Sequence, residues 1–150
     1  MTRITLHTQI HAPVPLCFDL SRDAGIHLLS TAHTQERVVA GRKEGLFELH
    51  DEVTWEAVHL GIRQRLSTRI TKMDPPLFFE DRMLKGAFKS MRHEHHFREE
   101  GSNTLMTDIF EYEMPFGWPG RIFNRLYLKR YMTRLLEKRN AVIKTEAEKE

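Results

Sequence analysis

Three histidines fall within four positions in the stretch MRHEHHF, residues 91–97. Imidazole changes charge near neutral pH and is the commonest side-chain metal ligand, so the cluster admits an acid–base pair, a metal site or a polar recognition patch. Which of these is available depends on which side of its strand each ring occupies. Side chains of an extended strand alternate between its two faces. In FKSMRHEHHFR, one face carries Arg92, Glu94, His96 and Arg98, and the other carries Met91, His93, His95 and Phe97. The charged set is the solvent face, so His96 points outward while His93 and His95 point inward.

The next segment, NTLMTDIFEYEM, sorts the same way. Thr104, Met106, Asp108, Phe110, Tyr112 and Met114 are predicted to face inward, with Glu111 and Glu113 outside. A turn centred on Gly101-Ser102 pairs Phe97 with Met106, His95 with Asp108, His93 with Phe110 and Met91 with Tyr112. A slip of one residue would set inward residues against outward ones, so the pattern fixes the register. The result is a carboxylate opposite an inward imidazole. Such a pair can act as a general acid or base, orient a polar ligand group, or be a structural hydrogen bond. The H-x-H pair, with His59 or Asp108, could also supply three metal ligands. No Cys or Glu cluster accompanies it, and neither a metal nor a cofactor is expected.

A second hairpin brings further polar groups to the same side. In EVTWEAVH the inward set is Val53, Trp55, Ala57 and His59; in GIRQRLSTRI it is Ile62, Gln64, Leu66, Thr68 and Ile70, opposite an arginine face. A tight turn at Leu60-Gly61 pairs His59 with Ile62, Ala57 with Gln64 and Trp55 with Leu66. Asp81, in FFEDRM, could face either way, because alternation there does not decide it.

The elements that must position these groups are legible from period and punctuation. Residues 4–12 alternate as a strand with Ile4, Leu6, Thr8 and Ile10 on one side. Pro13 and Pro15 end it, and a short helix closed by Gly25 follows, then a second short helix over 26–34. About six antiparallel strands come next, separated by Gly, Pro, Asp and Asn turns. The loop PFGWPG (115–120) leads to a long amphipathic helix from Ile122 to about residue 145, with a charged, fraying tail. Its apolar positions include Leu126, Leu128, Tyr131, Met132, Leu135, Leu136, Val142 and Ile143. Only this helix is large enough to cover the apolar face of such a sheet, and a cleft is expected between the two. The fold class is α+β: an antiparallel sheet of about seven strands curved around a C-terminal helix.

The 150 residues suit one domain with a sizeable core. No apolar run reaches the ~20 residues a membrane helix needs, and the alternating N-terminus lacks a signal-peptide core, so a cytoplasmic protein is expected. The single cysteine, Cys17, lies among Leu16, Phe18 and Leu20 and is read as a small core residue. Net charge is +2, yet residues 121–150 alone carry +5. Because these basic residues are interleaved with apolar ones, they are read as the solvated outer face of the helix. No phosphate-binding glycine loop, nucleophile elbow or zinc-finger spacing is present.

Residues 45–71 (GLFELHDEVTWEAVHLGIRQRLSTRIT), 81–97 (DRMLKGAFKSMRHEHHF) and the FEYEMPFG…YMTRLLEKRN ending resemble a bacterial group of stand-alone ligand-binding proteins in the SRPBCC superfamily. Its relatives include START-like and polyketide cyclase/dehydrase-like domains, and some are described as cell-division-inhibitor-like. The resemblance spans nearly the whole chain and implies the helix-grip fold, with a small, mostly apolar molecule held between the sheet and the last helix. It does not by itself imply a reaction.

The leading expectation is therefore a carrier or sensor for a small hydrophobic or amphipathic molecule. His59, Gln64, His93, His95 and Asp108 would meet its polar end, and Trp55, Met106, Phe110, Tyr112 and Met132 would pack its body. The alternative is a cyclase, dehydratase or hydrolase using His95 and Asp108 as an acid–base pair. Neither nucleic-acid binding nor stable membrane association is expected. The ligand and the oligomeric state are not read from the sequence.

Overall fold

The structure, a computed structural model, describes residues 1–149. Strand β1 (Thr2–Ile10) is followed by helices α1 (Val14–Ser21) and α2 (Ala24–Ser30) and a 3₁₀ turn (Ala32–Thr34). Six strands come next: β2 (Arg37–Gly41), β3 (Glu52–His59), β4 (Ile62–Asp74), β5 (Phe78–Lys85), β6 (Ser90–Glu100) and β7 (Asn103–Glu113). Helix α3 (Gly117–Phe123), a π-helical turn (Asn124–Leu128) and α4 (Lys129–Glu148) complete the chain. The seven strands form one antiparallel sheet in the order β1-β7-β6-β5-β4-β3-β2. This is the helix-grip arrangement.

Both hairpin registers follow the period-two pattern. His95 lies opposite Asp108, His93 opposite Phe110 and Phe97 opposite Met106; His59 lies opposite Ile62 and Trp55 opposite Leu66. Outward residues make the expected charged face. There Glu56 is buried beneath the guanidinium groups of Arg37, Arg63 and Arg65, whose hydrogen bonds at 2.7–3.1 Å pull its carboxyl down to about 2.

Three boundaries differ from the sequence expectation. Gly25 does not close α1; Arg22 ends that helix, and the Asp23 carboxylate begins α2 by accepting the Ile26 N–H at 3.1 Å. The last helical run starts at Gly117, not after Gly120. Pro119 falls in the first turn, where the missing N–H has no helical acceptor to serve. Gly120 fits there because a Cβ would lie 2.0 Å from the Pro115 carbonyl oxygen. At the far end α4 continues to Glu148, whose carboxylate accepts the His11 N–H at 2.9 Å and the Lys144 ammonium at 2.6 Å.

Helix α4 packs on β1, α1 and α2. One apolar cluster joins Ile143 and Ala147 to Cys17, Phe18, Phe79, Phe97 and Met106; a second joins Leu128 and Leu136 to Ile4, Met91, Phe110 and Tyr112. Each such fully buried large side chain contributes about 1.5–3 kcal/mol. Cys17 is buried, and burial pushes its thiol pKa up, as for a small core residue. No helix among the described residues is long and apolar enough to cross a membrane.

Candidate functional site

Between the curved sheet and α4 lies a cavity of about 800 Å³. Its wall includes Trp55, His59, Gln64, His93, His95, Phe110 and Met132. Met106, Asp108 and Tyr112 do not line it, a correction to the sequence expectation. Met106 is fully buried, with the Ser21 hydroxyl 3.5 Å from its sulfur. Tyr112 is fully buried with its hydroxyl on Asn124, and burial pushes its pKa to about 12. Asp108 sits behind the two inner histidines.

Those histidines stand at the seam between the two apolar clusters. The His95 ring stacks on Phe79 at 4.0 Å and on His93 at 3.8 Å, and His93 meets Phe110 edge-on at 5.3 Å. Their polar partners come from the two flanking strands, β5 and β7, and the helix. Asp108 lies opposite His95 in the ladder, yet the shorter bond to it is diagonal: His93 Nε2 is 2.8 Å from Asp108 Oδ1, whereas His95 Nδ1 is 3.5 Å away. The principal partner of His95 is Asp81, 3.1 Å from its Nε2. Asp81 thus faces inward. Alternation could not decide this because the β4–β5 ladder shifts register between Ile70 and Lys72.

The helix adds two groups that sequence reasoning left outside the site. Arg139 donates to Asp108 (3.4 Å), to the Asn140 side-chain oxygen (3.0 Å) and to the Ser21 carbonyl (3.2 Å), and one of its nitrogens is 3.4 Å from His95 Nδ1. Asn140 donates to the second Asp108 oxygen at 2.7 Å. A carboxylate only accepts and a guanidinium only donates, which assigns the His95 tautomer: Nε2–H donates to Asp81 and Nδ1 accepts from Arg139. Likewise His93 Nε2–H donates to Asp108. Both residues had a sequence signal. Arg139 and Asn140 fall on the apolar stripe between Leu136 and Ile143, where a residue facing solvent would not lie.

Burial dominates the electrostatics. It lowers the His93 pKa to about 4, helped by the neighbouring His95 and opposed by Asp108, so His93 is neutral at pH 7. For Asp108, burial works to raise the pKa, but the hydrogen bond from His93 and the Arg139 charge hold it well below the usual carboxylate range. Asp81 is also held down, the His95 hydrogen bond and cationic surroundings outweighing burial.

Asp81, His93 and His95 offer ligand atoms that lie within 4.8 Å of one another. Two histidines and a carboxylate beside a cavity have the composition of a three-ligand metal site. In this arrangement His95 Nε2 and Asp81 bond each other, and Arg139 places a cation against the same ring, which opposes an added dication. His59 and Asp108, the third ligands suggested by the sequence, are not in this group.

His59 belongs to a second polar station. Its Nδ1 is 2.6 Å from the Tyr131 hydroxyl, its carbonyl accepts from Gln64 at 3.3 Å, and burial lowers its pKa. Tyr131 and Arg139 are eight residues apart on α4, about 12 Å of helix rise. The cavity thus has two polar stations with apolar wall between them, among it Met132, Leu135 and Leu136.

The family profile for “Polyketide cyclase / dehydrase and lipid transport” matches residues 10–137, and the chain belongs to that family. No curated protein matches the sequence. Solved structures with the same fold include a protein of Thermus thermophilus, at 20% identity and TM-score 0.74, covering 95% of this chain and 97% of that one. A START superfamily protein from Mycobacterium smegmatis matches at 12% identity and TM-score 0.74, covering 98% and 97%. Ginseng major latex-like protein 151 from Panax ginseng matches at 14% identity and TM-score 0.70, covering 97% of each chain. At these identities the likeness shows the fold. Family and fold together are consistent with lipid or small-ligand binding.

Proposed function

We propose that this member of the polyketide cyclase/dehydrase and lipid transport family is a carrier or sensor that holds a small amphipathic molecule between sheet and α4. The polar end of the ligand meets Asp81, His93, His95 and Arg139, and its body packs on Trp55, Phe110 and Met132. The observation that carries this reading is the form of the cavity: a volume of about 800 Å³, apolar walls, and a few convergent polar groups gathered around His93 and His95. A fluorescent amphipathic anion such as anilinonaphthalene sulfonate tests it. His95→Ala is expected to weaken probe binding about tenfold, because the ring's hydrogen bonds hold Asp81 and Arg139 at the cavity wall, with a smaller effect on melting temperature. Unchanged probe binding in that variant would count against the assignment.

A second reading is favoured by the Asp81–His95 hydrogen bond at the cavity wall, which sets a proton donor and acceptor beside the bound molecule. In it His95 moves a proton during loss of water or ring closure, with Asp81, in place of the Asp108 expected from sequence, orienting the ring. Turnover of a β-hydroxyketone probe that disappears in Asp81→Asn while probe binding persists would support this reading. Absence of turnover in the unaltered protein leaves the carrier reading.

A further inference from the structure

Six of the large apolar side chains left exposed to solvent, Phe116, Trp118, Ile122, Phe123, Leu126 and Tyr127, lie on one short stretch through α3 and the π-helical turn. Phe116 is 84% exposed and Trp118 67%, values at which burial gives no reason for an aromatic ring. Leu60 and Ile62, at the tip of the β3–β4 hairpin, are exposed as well. Phe116, Phe123, Leu60 and Ile62 also line the cavity, so both exposed segments border its open end.

Backbone conformation sharpens the point. Leu60 (φ 53°) and Phe116 (φ 70°) occupy the left-handed region, each directly before a glycine that does the same. Turns of this kind favour Gly, Asn or Asp at both positions. A bulky apolar residue there is strained, and neither residue recovers the strain by burial.

Charge completes the pattern. Between Glu113 and Glu137 there is no acidic residue, while Arg121, Arg125, Lys129, Arg130 and Arg134 are all exposed. Exposed Trp, Phe and Leu combined with Arg and Lys on one helical stretch is the composition of segments that lie in the interface of an anionic membrane. Trp and Tyr settle at the headgroup level, and each nearby cation adds attraction to anionic lipid.

We propose that the stretch from Phe116 to Arg134, together with the Leu60–Ile62 tip, docks reversibly on an anionic lipid bilayer, setting the open end of the cavity against the lipid. A second copy of the chain fits this surface poorly, since pairing like faces would oppose five cations to five. Docking does not depend on what the cavity holds, and it can fail or succeed independently of the ligand reading.

The full chain is sedimented with vesicles of phosphatidylcholine alone and of phosphatidylcholine with phosphatidylserine. Binding is expected to the anionic vesicles, to weaken with added salt, and to shift Trp118 emission to the blue; Trp55 is already buried. Arg121→Gln with Arg125→Gln is expected to reduce partitioning about 25-fold, at about fivefold per charge. Trp118→Ser with Leu126→Ser is expected to reduce it tenfold or more, with melting temperature and uptake of the fluorescent probe retained, because neither side chain lines the cavity. Several results overturn the proposal: no binding to anionic vesicles at low salt, binding indifferent to Trp118→Ser with Leu126→Ser, tighter binding to duplex DNA than to vesicles, or self-association through this face without vesicle binding.

Discussion

At the buried end of the cavity, Asp108 receives hydrogen bonds from His93 and Asn140 and the charge of Arg139. Among the described residues no buried side-chain nitrogen or oxygen lacks a partner. At the open end the reverse holds: large apolar side chains face water, and Leu60 and Phe116 keep strained backbones. Buried charges are tolerated in the first region because each satisfies another. Exposed rings in the second gain nothing within the fold itself. Polarity inside and apolarity outside, at two ends of one hollow, mark places where the fold departs from what stability alone favours.

The sharpest way to break this contrast is to remove the cation from the buried end. Arg139→Met leaves the Asp108 carboxylate buried beside His93, His95 and Asn140 without its guanidinium and is expected to destabilise the fold by about 3–5 kcal/mol in denaturant unfolding. A loss under 1 kcal/mol would mean that the network carries little of the core's stability.

Acid titration probes the same end with a smaller effect. The folded His93 pKa of about 4 lies below its ordinary 6.5. As pH falls through 6.5 the unfolded chain gains a proton that the folded one refuses until about pH 4, so stability falls across that window. The fall is on the order of 3 kcal/mol. Asp81 and Asp108, with depressed pKa values, contribute stability that is present above the ordinary carboxylate range and lost as pH falls through their folded values, which extends the decline. Melting temperature recorded against pH should be flatter between 6.5 and 4 for His93→Gln, which keeps a donor but does not titrate. Parallel curves for the two proteins would contradict the assignment.

At the open end the expected change has the opposite sign. Leu60→Asn places a residue suited to the left-handed turn and should stabilise the fold by about 1 kcal/mol, while weakening attachment to anionic vesicles. A variant that is less stable would show that the Leu60 side chain serves packing after all.

How far the sequence reached differs between the same two ends. Alternation placed His93, His95 and Asp108 on one side and fixed both hairpin registers, because a one-residue slip would have set buried residues against exposed ones. It could not show that the shorter bond to Asp108 is the diagonal one from His93, since that depends on rotamers. Nor could it place Asp81, whose ladder shifts register. Arg139 and Asn140 were hidden by chemistry: on an amphipathic helix a cation is read as solvent-facing, although both positions fall on the buried stripe. The start of α3 was masked by Pro119 and its two flanking glycines, which punctuate loops as readily as they begin helices.

The central claim, a ligand held between sheet and α4, is tested most directly by native mass spectrometry of the purified chain, followed by incubation with a fluorescent amphipathic anion. The account predicts a bound small molecule carried through purification, or a vacant hollow that takes up the probe at one-to-one stoichiometry and loses affinity in His95→Ala. A chain of bare mass that binds no probe would contradict it.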